Sequence, residues 1–187
     1  MKKGMIILLA VLAIIVIIVI GVVGIYNGLV KKSENVDNKF ADIDTMLQRR
    51  MDLIPNLVNT VKGFAAHETE IMANVTEART KLAGATTVEE KAKANAELSG
   101  ALSRLLVVVE NYPDLKSSAN FIQLADELAG TENRIAVSRK DYNDAVKEYN
   151  TDIKKMPNSI IAGMFKFDEK VYFEAKEGAD VVPEVKF

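Results

Sequence analysis

The stretch VDNKFADIDTMLQRRMDLIPNLVNTVKGF, residues 36–64, decides the fold because its apolar residues recur at alternating steps of four and three. This heptad spacing is typical of a helix that buries one stripe of its surface. The spacing continues to residue 82, where only Arg50 and Glu68 interrupt it. The twelve apolar positions are Val36, Phe40, Ile43, Leu47, Ile54, Leu57, Val61, Phe64, Ile71, Val75, Ala78 and Leu82.

Pro55 falls inside this pattern without shifting its phase. Proline removes one helical hydrogen bond and disfavours helical angles at the residue before it. Two interpretations remain, a kinked helix and a break followed by a new helix. No Gly-rich or polar loop lies nearby, so we favour a kink or tight bend that divides the rod into segments 26–53 and 55–83.

Start and stop signals divide the chain after this rod. Gly84 is expected to end it, and TVEE, Thr87 to Glu90, has the capping-box pattern of a helix start. The next helix is therefore predicted over residues 88–111.

A last long helix is predicted over residues 119–156, between a turn at Pro113 and a stop at Pro157. Short connections between long amphipathic helices indicate antiparallel neighbours. The fold class is therefore predicted to be all-α, with an up-and-down bundle over residues 26–157. The apolar residues of the remaining segment, 158–187, alternate without a helical period, and we expect an extended tail that packs on the bundle or remains loose.

The run MIILLAVLAIIVIIVIGVVGI, residues 5–25, contains no charge. At about 1.5 Å per residue it reaches about 31 Å, the thickness of a bilayer's hydrocarbon core. A secretory signal has a shorter apolar region and a small-residue cleavage site. We therefore predict a transmembrane helix that follows a short N-terminus, residues 1–4, and contacts the lipid bilayer.

Basic residues flank this helix on both sides and nearly balance. Lys2 and Lys3 precede it, whereas Lys31, Lys32 and Lys39 follow it. Because positive charge favours the cytoplasmic side, the N-terminal lysines indicate an extracytoplasmic soluble domain, with only a small margin.

The composition excludes several classes of function. The chain has 24 basic and 26 acidic residues and no basic stripe, which argues against a nucleic-acid partner. It contains no cysteine, so disulfides, thiolate catalysis and cysteine-based zinc sites are excluded. No phosphate-binding glycine loop or nucleophile elbow is present. We expect no cofactor, no metal and no small-molecule substrate.

Four charged residues fall on the predicted core stripes: Arg50, Glu68, Glu132 and Arg139. A lone buried charge is costly, so we expect the two arginines to be matched by the two glutamates, in a pairing that the pattern does not assign. Alternatively, these long side chains reach solvent at the edge of the stripe. Asn95 interrupts the middle helix in the same way.

The segment YNDAVKEYN repeats one dipeptide after seven residues. Tyr142 and Tyr149 lie on the core stripe, and Asn143 and Asn150 lie beside it. We interpret these four residues as candidates for packing or docking. The single histidine, His67, is predicted to lie on a helix surface or at a subunit contact.

Several long stretches of the chain resemble the bacterial LemA family, in the right order and over nearly the whole length. They are YNGLV, RRMDLIPNLVNTVKGFAAHE, ALSRLLVVVENYPDLK, NFIQLADELAGTENRIAVSRKDYNDAVKEYN and YFEAKEGADVVPEVKF. The segment VKKSENV departs from the family, which more often has arginines and an asparagine there. This departure bears only on surface charge.

The resemblance implies one membrane helix, a soluble four-helix bundle and no agreed biochemical activity. Family genes often lie near membrane metalloproteases, which implies a role in envelope or membrane-protein quality control and a membrane protease as a partner. A relative acts in magnetosome membranes, which implies membrane organisation. The family's N-terminus tends to be placed outside, against the indication from Lys2 and Lys3, so the side stays open.

Three hypotheses for function follow. The first is a non-enzymatic membrane-anchored scaffold or adaptor that binds a protein partner or a second copy of itself. The second is a structural protein that self-assembles and organises or remodels the bilayer. The third, which the missing motifs disfavour, is an enzyme or metal protein built around Glu68, Glu132 and His67.

Overall fold

The computed structural model describes residues 2–174, which form six helices and no strand. The predicted all-α class is therefore confirmed. The helices are α1 (Lys2–Phe64), α2 (Thr69–Gly84), α3 (Val88–Val109), α4 (Pro113–Lys116), α5 (Ala119–Lys154) and α6 (Asn158–Phe165).

Helix α1 is continuous through Pro55, so of the two interpretations the break followed by a new helix is wrong. Proline has no amide hydrogen to offer the carbonyl of Met51, four residues earlier. In the structure Arg79 of α2 supplies the missing donor, because its Nε donates to the Met51 carbonyl oxygen at 2.8 Å. Pro55 itself is exposed, so its ring meets no core side chain. A side chain from another helix thus compensates the proline.

The rod divides at residues 65–68, where the turn begins ten residues after Pro55. The amide of Glu68 donates to the Ala65 carbonyl at 3.1 Å, which is a tight turn and not a continued α-helix. Phe64 is 48% exposed, whereas Ala65 is buried. The buried stripe therefore steps by one residue at the turn, and it resumes in α2 at Met72.

Helix α3 starts at the predicted capping box. The Thr87 hydroxyl accepts the Glu90 amide at 3.2 Å, and the Glu90 carboxylate accepts the Thr87 amide at 3.1 Å. The Glu90 carboxylate also accepts the Thr86 amide, and these bonds lower its pKa. The first turn of α3 is thus fixed by residues within four positions of each other.

Part of the predicted extended tail is helical. Residues 158–165 form α6, with Ile161 and Ala162 buried on one side. Lys166 ends the helix in the left-handed region, at φ 57°, and the Phe167 amide bonds back to the Ala162 carbonyl at 3.0 Å. The chain is non-helical from residue 167 to 174, and the rest of the predicted tail lies outside the described residues.

The chain divides into two compact units. The first comprises Met1–Lys39 and Asp144–Lys170, and the second comprises Phe40–Asn143 and Val171–Phe187. Buried residues of the first unit include Leu29, Val36, Val146, Tyr149, Ile153, Ile161 and Ala162. The second unit has a larger core, which includes Ile43, Leu47, Ile54, Leu57, Val61, Val75, Leu98, Leu105, Leu115 and Phe173.

By length and composition, α1 is the one described helix that could cross a membrane. Its apolar run, residues 5–25, is exposed at every position except Val22 and Ile25, which are half-buried. An uncharged run of this length supports a membrane location because water would solvate it poorly.

Candidate functional site

Arg50 lies at the centre of a buried polar cluster in the second unit. Its Nη1 donates hydrogen bonds to Asn95 Oδ1 at 2.7 Å and to Ser99 Oγ at 3.0 Å, both on α3. The same nitrogen lies 2.6 Å from Glu132 Oε2 on α5. The Arg50 side chain is 5% exposed and that of Glu132 is 46% exposed, although the Glu132 oxygen that faces Arg50 is itself buried. The cluster joins α1, α3 and α5.

Burial lowers the pKa of Arg50, and the negative charge of Glu132 opposes this effect. The guanidinium still stays charged, because arginine is not deprotonated in proteins. Arg50 Nε and Glu132 Oε2 are buried without an aligned hydrogen-bond partner, although Oε2 lies close to Nη1. The contact is therefore an ion pair without hydrogen-bond alignment. Asn95 and Ser99 provide the aligned bonds.

The four charged stripe residues have three different fates. Arg50 and Glu132 meet, whereas Glu68 is half-buried and accepts the hydroxyl of Tyr112 at 2.9 Å. That bond raises the pKa of Tyr112. Arg139 is exposed and meets neither glutamate, because the buried stripe of α5 is filled by neighbours about one turn away on each side. The structure thus contains one of the two expected arginine–glutamate pairs.

In the second unit, Tyr142 and Asn143 hold the extended segment that follows α6. The Tyr142 hydroxyl donates to the Val171 carbonyl at 2.7 Å. The side-chain oxygen of Asn143 accepts the backbone amide hydrogen of Phe173 at 2.8 Å, and its side-chain nitrogen donates to the Phe173 carbonyl at 3.4 Å. Phe173 is 1% exposed, so these bonds accompany a core side chain.

In the first unit, Tyr149 and Asn150 make the same type of contact. The Tyr149 hydroxyl donates to the Asp168 carbonyl at 3.1 Å. The side-chain oxygen of Asn150 accepts the backbone amide hydrogen of Lys170 at 2.9 Å, and its side-chain nitrogen donates to the Lys170 carbonyl at 2.8 Å. Burial, followed by the charge of Asp168, raises the pKa of Tyr149.

The two sets of contacts share one spacing. The tyrosine and asparagine positions differ by seven residues, and the backbone positions that they bind differ by three. We call Tyr142, Asn143, Tyr149 and Asn150 the tyrosine–asparagine ladder.

Lys32 forms a second charged cluster, in the first unit. Its ammonium binds Asp152 and also Glu148, the latter at 2.7 Å. The hydrogen bond to Asp152, followed by that to Glu148, raises the pKa of Lys32. The two lysine bonds from Lys32 and Lys155 lower the pKa of Asp152. The sequence reasoning missed this cluster because Lys32 was counted only as a flank of the membrane helix.

The side chains of these clusters already bind other groups of the chain, which limits the chemistry that they can perform. Within residues 2–174, no group of three or more His, Asp or Glu side chains is placed to hold a metal ion. His67 is exposed in the turn between α1 and α2. Ser99 was missed in the sequence, although its place four residues after Asn95 puts both on one helix face.

Comparison with known proteins decides the family. The profile of the LemA family matches residues 39–187, well over half of the chain. The chain belongs to the LemA family. This LemA-family match includes the Arg50 cluster, the tyrosine–asparagine ladder and the turn at residues 65–68.

Among curated relatives, the chain is 30% identical to magnetosome protein MamQ 1 and to MamQ 2 of Paramagnetospirillum magneticum. Each alignment covers 83% of this chain and 66% of the relative, so the chain spans slightly less than two thirds of these proteins. It is also 25% identical to protein LemA of Metamycoplasma hominis, over 81% of this chain and 69% of that protein.

Proposed function

We propose that this LemA-family chain is a non-enzymatic, membrane-anchored helical scaffold or adaptor. One observation carries the proposal: the polar side chains that are buried or half-buried in or beside the apolar stripes bind the chain's own helices and backbone. Arg50 binds groups on two other helices, and the ladder asparagines bind the extended segment. Groups used in this way hold a shape and are not free for a substrate.

The proposed arrangement of the second unit is an antiparallel up-and-down bundle. Arg50 would fix its register, because sliding a helix by one turn would leave a charge buried without its partners. This role supplies specificity more than net stability. It also accounts for a charged residue on a core stripe without invoking catalysis.

The proposal gives no catalytic or metal-binding role to Glu68, Glu132 or His67. Glu68 binds the Tyr112 hydroxyl and Glu132 binds Arg50. Elemental analysis of the protein purified without chelators should therefore find less than stoichiometric metal. A stoichiometric transition metal that is lost in a Glu68→Ala or His67→Ala variant would contradict the proposal.

An adaptor needs a partner, which we expect to be a membrane protein. A photoreactive amino acid would be placed at two exposed positions of the full chain in cells. One is Lys93, beside the groove that Ala78, Ala96 and Gly100 line between α2 and α3, and the other is the exposed apolar Val137. Captured proteins would be identified by mass spectrometry. A buried position, Leu98, serves as the matched control, because a core side chain should capture nothing but its own chain.

If the adaptor hypothesis is right, one membrane protein is captured from Lys93 or Val137 and not from Leu98. The family resemblance leads us to expect that this protein is a membrane protease or one of its substrates. The compartment of the captured domain would also give the side of the membrane, which we propose to be extracytoplasmic. Absence of any reproducible capture from both exposed positions would overturn the adaptor hypothesis.

A second function, self-assembly that organises a bilayer, is favoured by the relatives that are named magnetosome proteins. In this case the same experiment captures only further copies of the chain. Electron microscopy of proteoliposomes should then show ordered arrays or altered vesicle shape. Unchanged vesicles at high protein density would rule it out.

A further inference from the structure

We propose that α6 is a second membrane contact, which lies in the lipid headgroup region beside the end of the membrane helix. The helix NSIIAGMF, Asn158–Phe165, contains no charged residue. Its partner would be the same bilayer that residues 5–25 cross, so the inference rests on the membrane-spanning role of that run.

The face of α6 that is turned away from the core of the first unit is apolar and uncovered. Ile160 is 53% exposed and Met164 is 69% exposed, and their spacing of four residues puts both on one side of the helix. Phe165, which lies four residues after Ile161 on the other side of the helix, is also 50% exposed, and Met156, just before α6, is 72% exposed. The opposite face is anchored, because Ile161 is 5% exposed. A helix with one anchored apolar face and a second exposed one needs another apolar surface.

The position of α6 identifies this surface as lipid. Tyr26 directly follows the apolar run of residues 5–25, and its ring centroid lies 4.9 Å from that of Phe165 and 5.6 Å from that of Phe167. Each headgroup region is about 5–7 Å thick beyond the hydrocarbon core. Phe165 therefore lies at the depth of the headgroups. Aromatic side chains are enriched at this depth, as Tyr26 and Phe165 would be.

The membrane helix is partly covered near Tyr26. Val22 and Ile25 are the two residues of the 5–25 run that are not fully exposed, and both lie at the end next to Tyr26. Another part of the chain thus reaches the level where the membrane helix leaves the bilayer. Short apolar helices that lie in the interface bind through buried area, with lysines towards the headgroups.

The charges around α6 are compatible with this placement. Lys155 and Lys166 flank the helix and are exposed. Among the nearby acidic side chains, Glu169 is paired with Lys154 at 2.7 Å, whereas the Asp168 carboxylate is exposed. Because acid and base nearly balance, apolar burial and not attraction to anionic lipid drives the contact. Zwitterionic vesicles should therefore suffice.

The absence of cysteine from the chain allows a direct test, since one introduced cysteine carries one label. The full chain would be reconstituted in phosphatidylcholine vesicles with an environment-sensitive fluorophore at Met164→Cys or Ile160→Cys. Lys147→Cys, an exposed residue of α5 in the same unit, is the matched control. Ile14→Cys, in the middle of the uncharged run, reports whether that run is in lipid.

We expect labels at residues 160, 164 and 14 to lose most of their emission to a quencher attached to lipid chains and to resist aqueous iodide. The label at residue 147 should do the opposite. Iodide quenching at 160 and 164 equal to that at 147 would overturn the α6 contact. If both quenchers fail at 164, protein covers α6, which also overturns the lipid assignment. Lipid quenching that fails at residue 14 as well would instead show that the membrane span is wrong.

Discussion

At the scale of single residues, Arg50 shows how a charge is retained in a core. Its guanidinium is almost inaccessible to water, yet three polar groups surround it at hydrogen-bonding distance. Such a cluster adds little net stability compared with a well-packed apolar substitute, but the loss of one partner leaves the others unpaired in the interior. Its energetic weight therefore appears only when a single partner is removed.

Arg50→Ala should lower the free energy of unfolding by about 3 kcal/mol, near the low end for breaking a buried pair, because half-exposed Glu132 can regain water. Chemical denaturation of residues 31–187, which lack the apolar run, measures this loss. Arg49→Ala is the matched control. Arg49 is 53% exposed and lies 3.9 Å from Glu127, so its loss should cost under about 1 kcal/mol. Equal effects of the two variants would mean that the cluster is open to water.

The start of α3 gives a second prediction at the same scale. Thr87→Ala should cost about 1 kcal/mol, because the Glu90 amide loses its acceptor. Thr80→Ala, at an exposed hydroxyl within α2, should change the free energy of unfolding by no more than about 0.5 kcal/mol. Equal changes in the free energy of unfolding for the two variants would show that the cap does not contribute to stability.

The cap should also depend on pH. Bonds from the Thr86 and Thr87 amides lower the pKa of Glu90 below its ordinary value of 4.5. The contribution of the carboxylate is therefore present above that value and is lost as pH falls through the lowered pKa. Titration of the Glu90 side chain by NMR should give a value below 4.5. A value at or above it would exclude the cap in solution.

At the scale of elements, a proline and an arginine compensate each other in the second unit. Pro55→Ala restores a backbone amide hydrogen that can bind the Met51 carbonyl. In the natural chain Arg79 Nε is the donor to this carbonyl. Arg79→Met should therefore cost about 1–2 kcal/mol in the natural chain and less in the Pro55→Ala background. The four-variant cycle in chemical denaturation measures this coupling. Additive effects of the two substitutions would contradict it.

The ladder gives the second prediction at this scale. Asn150→Ala and Asn143→Ala should each cost about 1–3 kcal/mol, because each leaves a part-buried backbone amide and carbonyl without their partner. Hydrogen exchange should rise at the Lys170 amide in the first variant and at the Phe173 amide in the second. Asn133→Ala, at an exposed asparagine of the same helix, should change neither. Unchanged exchange at Lys170 and Phe173 would mean that packing alone holds the segment.

The elements also show which parts of the fold can be predicted from sequence. The cap at Thr87 depends on residues three apart, so its pattern is visible in the sequence. Continuation through Pro55 is indicated by the unshifted apolar phase, whereas its compensation by Arg79 is not, because Arg79 is distant in sequence and lies off the apolar stripe. The turn at residues 65–68 contains neither glycine nor proline, and it is marked only by a one-residue step of the buried stripe.

The candidate site divides in the same way. Periodicity located Arg50 and Glu132 because each breaks an apolar stripe. Arg139 breaks the stripe of α5 equally, yet it is exposed, since a period identifies a face but not how deeply each position is buried. The ladder residues were recognised as a repeat, but their partners were not, because backbone groups of the extended segment carry no residue-specific signal.

At the scale of the whole molecule, membrane attachment is the property that a single deletion should change most. The full chain should stay in the membrane fraction after washing at high salt and alkaline pH, because a spanning helix of about 21 apolar residues is not removed by either. A variant without residues 5–25 should leave that fraction. Fractionation followed by immunoblotting measures both. Release of the full chain by alkaline washing would show that the apolar run does not span.

The ladder also constrains how the chain can change in length. Adding one residue between Lys170 and Phe173 would move one backbone pair away from its asparagine, whereas adding residues after 174 would leave both pairs in place. Insertions and deletions that survive selection should therefore occur outside residues 142–150 and 168–173.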